Sequence, residues 1–131
     1  MKNLNLKNSK KFRKQIHNLI PGGAHTYSKG DDQFPELSPA CIKKGKGSFI
    51  WDVDKNKYLD CSMGLSSVTL GHAHNRISSG VTKEIIKGSN FQRPSIKEIE
   101  IAKLFLKEIP FHDRIKFSKN GSTATTAAVK L

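Results

Sequence analysis

Apolar side chains recur every three or four residues in several segments of the chain, which is the spacing of helices with one apolar face. The first such segment, residues 8–19, ends at the Pro-Gly-Gly breaker of residues 21–23. The second is residues 75–87. The apolar positions are Phe12, Ile16 and Leu19 in the first segment, and Ile77, Val81 and Ile85 in the second. The pattern predicts a short amphipathic helix in each place.

A third helix is predicted after residue 95. Ser95 and Glu98 have the spacing of a capping box, and Pro110 marks the end of the helical pattern. Between them, four positions form an apolar stripe that we expect to lie in a core. They are Ile96, Ile99, Ala102 or Lys103, and Leu106.

Short β-rich runs predict a small antiparallel sheet between residues 41 and 61. The runs SFIWDV and KYLDC flank Asp54-Lys55-Asn56, which is a turn signal, so we expect a hairpin. Asp52 and Asp54 fit the side-chain chemistry of this turn better than they fit a catalytic pair. Residues 24–40 and 64–71 are predicted to be irregular, and a long ordered loop such as 24–40 is usually functional or covers a neighbour.

The end of the chain predicts a strand, a tight turn and a helix start. The run Ile115–Phe117 leads into Asn120-Gly121-Ser122-Thr123, and small residues with helical character follow. Glycine lets a backbone approach a ligand, and free N–H groups at a helix start favour an anion. The turn therefore has two interpretations: it binds phosphate, or Ser122 or Thr123 only caps the helix. It is neither a Walker A loop nor a GxGxxG fingerprint.

The charge and composition exclude several partners. The net charge of +12 comes from 23 basic and 11 acidic residues, but only residues 7–14 form a dense cluster, without interleaved aromatic residues. A solvated lysine-rich surface, or acidic residues elsewhere in the protein, explains this charge better than nucleic-acid binding does. No apolar run is long enough to span a bilayer, and Cys41 and Cys61 lack metal or redox spacing. We expect a cytoplasmic protein with reduced cysteines and neither nucleic acid nor membrane as partner.

Other polar residues yield no catalytic constellation. His72 and His74 form an H-x-H pair that could hold a metal with a third ligand, although loop histidines bonded to the backbone are the simpler interpretation. His25 and Tyr27 either line a pocket in the long loop or are solvent-exposed residues without a functional role. No lysine stands out as a Schiff-base residue, so no catalytic residue is predicted.

Four segments, in order, resemble the class-III aminotransferases that use pyridoxal 5′-phosphate (PLP), and within them the glutamate-1-semialdehyde 2,1-aminomutase group. The segments are IPGGAHTYSKG, GKGSFIWDVDKNKYLDC, LGHAHNRI and KFSKNGSTATTAAVKL, so the resemblance runs from Ile20 to Leu131. It implies the α/β fold type I of PLP-dependent transferases. Residues 1–70 would form the N-terminal segment of the small domain, and residues 71–131 would open the large PLP-binding domain.

The resemblance also implies a cofactor site and partners. The Ser/Asn-Gly-Ser/Thr turn of the family binds the phosphate of PLP, which here means Gly121 and Ser122, with Asn120 and Thr123 beside them. We expect a small-molecule amino donor, a carbonyl acceptor and a homodimer for the intact enzyme.

Three departures from the family pattern concern the substrate and the turn. Thr123 stands where the family commonly has an acidic residue, and Leu65 replaces an aromatic residue before the Leu-Gly-His loop. Lys29 stands near the arginine expected to bind the substrate carboxylate, and it offers a point charge rather than a bidentate fork. We therefore expect a substrate other than glutamate 1-semialdehyde, such as an amino compound related to a sugar or polyketide-like aldehyde or ketone.

The family's Schiff-base lysine and the aspartate that pairs with the pyridine nitrogen lie downstream of Leu131. The resemblance thus implies that this chain is the N-terminal part of an aminotransferase or aminomutase and is inactive by itself. The alternatives are a non-catalytic truncated remnant and a basic binding segment.

Overall fold

The computed structural model describes residues 4–131, and the chain divides into two compact units, one ending at Ile86 and the other running Lys87–Leu131. In the described residues, the first unit contains three strands, two helices of more than ten residues and one short helical turn, and the second contains two helices. The first unit has α1 (Lys7–Leu19), β1 (Ile42–Lys46), β2 (Phe49–Asp52), β3 (Lys57–Leu59), the short turn α2 (Met63–Ser66) and α3 (Asn75–Ile85). The second has α4 (Ile96–Glu108) and α5 (Gly121–Val129). The helices and the hairpin therefore confirm the pattern-based predictions.

Helix α1 is capped by a residue distant in sequence. The carboxylate of Asp54 accepts the N–H of Asn8 at 2.9 Å and the N–H of Ser9 at 2.7 Å. A negative charge at a helix N-terminus is favourable because it meets unpaired N–H groups and the positive end of the helix dipole. Burial opposes ionisation, but these donors prevail and lower the pKa of Asp54. The cap fixes α1 to the turn between β2 and β3.

The sheet has the antiparallel order β1-β2-β3, and Asp52 organises its hairpin. This side chain is fully buried, and its carboxylate accepts four hydrogen bonds within 2.9 Å. The donors are the N–H groups of Asp54 and Asn56, the side-chain amide of Asn56 and the hydroxyl of Tyr58. Burial, together with the bond to Asp52, raises the pKa of Tyr58 to about 12. The predicted turn chemistry of Asp52 is confirmed.

A left-handed turn replaces part of the predicted irregular stretch 64–71. Met63, Gly64, Leu65 and Ser66 all have positive φ, between +47° and +66°. For residues other than glycine this conformation is strained, because Cβ crowds the carbonyl oxygen. The carboxylate of Asp60 supports the entry of the turn by accepting the N–H groups of Ser62 and Met63.

Two predictions for residues 87–131 are wrong. Ile115–Phe117 is not a strand, because its backbone pairs with no other strand among residues 4–131; Phe117 instead meets Phe105 of α4 edge to face at 6.1 Å. The apolar stripe of α4 is not in a core either: Ile96 is 65% exposed and Ile99 is 49% exposed. Within the described residues no apolar side chain is buried. The predicted domain boundary at residue 70 concerns the complete enzyme and stays a prediction.

Candidate functional site

The turn before α5 is held by Asn120 and Thr123. Asn120 has extended backbone angles, and its side-chain oxygen accepts both the N–H and the hydroxyl of Thr123 at 2.9 Å. Asn120 is thus the N-cap, so the interpretation in which Ser122 or Thr123 caps the helix is wrong. The hydroxyl of Thr123 is committed to this cap.

Gly121 and Ser122 remain available for a ligand. Among the hydrogen bonds of the described residues, none uses the N–H of Gly121, the N–H of Ser122 or the hydroxyl of Ser122. A Cβ placed on Gly121 would meet no atom within 4 Å, and its φ lies outside the left-handed region. The chain itself therefore gives no reason for glycine here, since alanine would fit and would favour the helix.

These features fit the phosphate of PLP. Two N–H groups and one hydroxyl point from an exposed helix start, where the helix dipole favours a negatively charged group. The missing Cβ lets a phosphate oxygen approach the backbone closely. Asn120 and Thr123 would hold the shape of the turn, while Gly121 and Ser122 would supply the donors.

Lys29 lies in the first unit, at the end of a one-turn 3₁₀ helix, Tyr27–Lys29. It is exposed, and its ammonium makes no hydrogen bond or ion pair with another described residue. The neighbouring Ser28 hydroxyl is buried without a partner in the described part of the chain. A free cation and an unpaired hydroxyl in one turn are groups that an anionic ligand could use.

The histidines meet no third metal-ligating side chain among residues 4–131. His72 donates from Nε2 to the carboxylate of Asp60 at 2.6 Å, which lowers the pKa of Asp60, although burial opposes the effect. Its backbone pairs with Gly47, and a Cβ on Gly45 would stand only 2.5 Å from the His72 ring. No group of three metal-ligating side chains converges within residues 4–131. His25 and Tyr27 are exposed, and the ring of Tyr27 borders an open cleft.

Sequence reasoning missed a polar cluster on α1. Arg13, His17 and Asp31 meet at one carboxylate oxygen, 3.1 Å and 2.7 Å from the arginine and histidine nitrogens. Arg13 and His17 are four residues apart, so the helical spacing of these polar residues could have indicated a shared partner. Neither cysteine forms a disulfide. No helix of the described chain has the length and apolar character to cross a bilayer.

The fold identifies the class of protein. The FumI protein of Sphingopyxis sp. MTA144, solved in a form that carries PLP, superposes with a TM-score of 0.87 over 93% of this chain and 29% of that one, at 26% sequence identity. The architecture is therefore that of the N-terminal portion of a fold-type I PLP-dependent transferase.

The family is equally clear from sequence. The model of the class-III aminotransferases matches residues 27–131, and the chain belongs to this family, whose cofactor is PLP. Glutamate-1-semialdehyde 2,1-aminomutase of Fusobacterium nucleatum is 34% identical over 125 residues, which are 95% of this chain and 29% of the relative. Glutamate-1-semialdehyde 2,1-aminomutase 1 of Listeria welshimeri is 30% identical over 98% of this chain and 30% of its own length. The chain thus spans less than a third of the curated relatives it matches.

Proposed function

We propose that the enzyme to which this chain belongs transfers an amino group between a small amine or amino acid and a carbonyl compound, with PLP as cofactor. The observation that carries the proposal is the open start of α5, where two unused N–H groups flank a glycine that the chain does not otherwise require. When bound, PLP supplies an electron-withdrawing ring that stabilises negative charge beside the reacting amine.

The part proposed for this chain is to hold the phosphate. The N–H groups of Gly121 and Ser122 and the hydroxyl of Ser122 donate to its oxygens. Asn120 keeps the turn in place through its bonds to Thr123. A bound phosphate thereby fixes the position of the cofactor against the start of α5.

Comparing two ligands tests this role without relying on activity. The full product of the gene is titrated with PLP and with pyridoxal, which lacks the phosphate, and binding is followed by absorbance. Hydrogen bonds to a charged group contribute about 1.5–3 kcal/mol each, so losing the three proposed for the phosphate weakens binding by about 1,000-fold or more. Equal dissociation constants would refute the phosphate site.

We also propose that Lys29 pairs with an anionic group of the substrate. Its ammonium is exposed and unpaired among the described residues, as such a contact requires. A lysine forms a point contact, whereas an arginine would grip a carboxylate with two parallel bonds. This difference supports a substrate other than glutamate 1-semialdehyde, such as an amino compound related to a sugar or polyketide-like carbonyl. The Lys29→Gln variant should no longer discriminate between anionic and neutral amino donors in kcat/KM. Unchanged discrimination would contradict the proposal.

Further proposals concern the assembly and the isolated chain. We propose a cytoplasmic homodimer for the complete enzyme, testable by its mass in solution. Residues 1–131 alone are expected to transfer no amino group, since the resemblance assigns the Schiff-base role to no lysine of this chain. Amino-group transfer by the purified 131-residue chain, with PLP and a donor, would contradict this expectation.

A further inference from the structure

One stripe of α1 faces the long loop of residues 21–40. Ser9, Arg13 and His17 are spaced four residues apart, so they lie along one side of the helix. Ser9 is 2% exposed, and its hydroxyl accepts the N–H of Ala40 at 2.7 Å. We call Ser9, Arg13 and His17 the polar stripe. The contacts of its side chains lie between 14 and 31 residues away in sequence, so the stripe connects separate parts of the chain.

Arg13 contacts the loop at three points. Its terminal nitrogens donate to the carbonyls of Glu36 at 3.3 Å and Ser38 at 3.0 Å. Its Nε lies 3.1 Å from Oδ2 of Asp31, but the N–H does not point at that oxygen, so this contact is an ion pair without a hydrogen bond. The planar fork of arginine can span three acceptors at fixed angles, which a lysine ammonium cannot do.

His17 bonds to Asp31 and lies close to Gly23, at the two ends of the segment that carries Lys29. Its Nε2 donates to Asp31 at 2.7 Å, and this bond, helped by Arg13 and opposed by burial, lowers the pKa of Asp31. On the other side, a Cβ on Gly23 would stand 2.8 Å from the same nitrogen, and Gly23 has a φ of +73°. A side chain at residue 23 would therefore crowd the ring and strain the backbone, so glycine suits this position.

Lys29 lies between Gly23 and Asp31 in the chain. The segment from Gly23 to Asp31 contains the Tyr27–Lys29 turn. The N–H groups of Lys29 and Gly30 donate to the carbonyls of Thr26 and Tyr27, so these bonds stay within the segment. Asp31 is only two residues from Lys29. A displacement of Asp31 from the polar stripe would therefore move the lysine directly.

We propose that the polar stripe of α1 positions the loop that carries Lys29, and that Arg13 is a positioning residue for substrate binding. The inference rests on the proposed role of Lys29. Arg13 touches neither substrate nor cofactor in this account, and acts only through the backbone of residues 31–38 and the carboxylate of Asp31.

Hydrogen exchange in the full product of the gene tests the structural half. Arg13→Gln removes the charge and the fork, Arg13→Lys keeps the charge alone, and Lys14→Gln is the control because Lys14 is exposed on the same helix. We expect Arg13→Gln to speed exchange in peptides of residues 26–38 by about tenfold, with α1 unchanged. Arg13→Lys should give a smaller increase, and Lys14→Gln none. Unchanged exchange in both Arg13 variants would overturn the inference.

A double-mutant cycle with Lys29 tests the positioning half. Arg13→Gln and Lys29→Gln should each raise the KM of an anionic substrate about tenfold, with kcat changed less than twofold. The double variant should show no more than the Lys29→Gln effect, because Arg13 acts through that lysine. Additive effects, or an unchanged KM in Lys29→Gln, would overturn the inference. Failure of the proposed function would be visible separately, as equal affinity for PLP and pyridoxal in the unaltered protein.

Discussion

Replacing Gly121 by alanine should change stability and cofactor binding in opposite directions. The φ of Gly121 lies outside the left-handed region and a Cβ there meets no atom within 4 Å, so the variant introduces neither strain nor a clash. Alanine loses less backbone entropy in a helix than glycine, which stabilises the fold by about 0.5–1 kcal/mol. In the proposed phosphate site, the same methyl group would occupy the space that a phosphate oxygen needs. Weakening one charged hydrogen bond lowers PLP affinity by about tenfold to a hundredfold.

The chain contains a matched control for this variant. Gly80 in α3 also has open space at its Cβ position and no positive φ. Gly80→Ala should therefore bring a similar gain in stability and leave PLP affinity unchanged. Thermal unfolding and PLP titration of both variants, in the full product of the gene, separate the two effects. Unchanged affinity in Gly121→Ala, or an equal loss in Gly80→Ala, would refute the reasoning.

Three further predictions concern the first unit. Asp52→Asn leaves one of the four donors around this carboxylate without an acceptor, which should lower the free energy of unfolding by about 1–3 kcal/mol. Urea unfolding followed by the fluorescence of Trp51, the only tryptophan of the 131 residues, measures this loss. An unchanged midpoint would contradict the role of the carboxylate. Leu65→Gly should stabilise by about 1 kcal/mol because it relieves a φ of +57°, whereas Leu70→Gly, outside the left-handed region, should destabilise. The hydrogen bond from His17 is the main cause of the lowered pKa of Asp31. The ionised Asp31 therefore stabilises the fold above its unfolded pKa of about 4, and this contribution is lost as the pH falls through the lowered pKa. Hydrogen exchange of residues 26–38 should therefore increase in acid, beyond its intrinsic pH dependence. Asp31→Asn should abolish this increase, and identical pH profiles in the variant and the unaltered protein would count against the role of Asp31.

Local patterns predicted the elements that local interactions stabilise. Helix α4 begins with the capping box of Ser95 and Glu98, and both of its hydrogen bonds are present. The turn of the hairpin follows from Asp52, whose carboxylate binds N–H groups two and four residues away. In each case the interacting residues are close in sequence, so spacing alone carries the information.

Contacts between distant residues could not be predicted in this way. The cap of α1 comes from Asp54, 45 residues beyond Ser9, and no local signal links the two. The segment Ile115–Phe117 has strand composition, but a strand also needs hydrogen bonds to a neighbouring strand, and among residues 4–131 this segment makes none. At the candidate site, the composition of the turn left phosphate binding and helix capping open, and only the geometry separated the capping pair from the free donors.

The most direct test of the account is amino-group transfer by the full product of the gene, measured with and without PLP against a panel of amino donors and carbonyl acceptors. The account predicts transfer that requires PLP and falls in Gly121→Ala when PLP is limiting, while Gly80→Ala remains like the unaltered protein. Transfer that is independent of PLP, or a folded full-length protein that binds PLP and transfers no amino group to any acceptor, would contradict it.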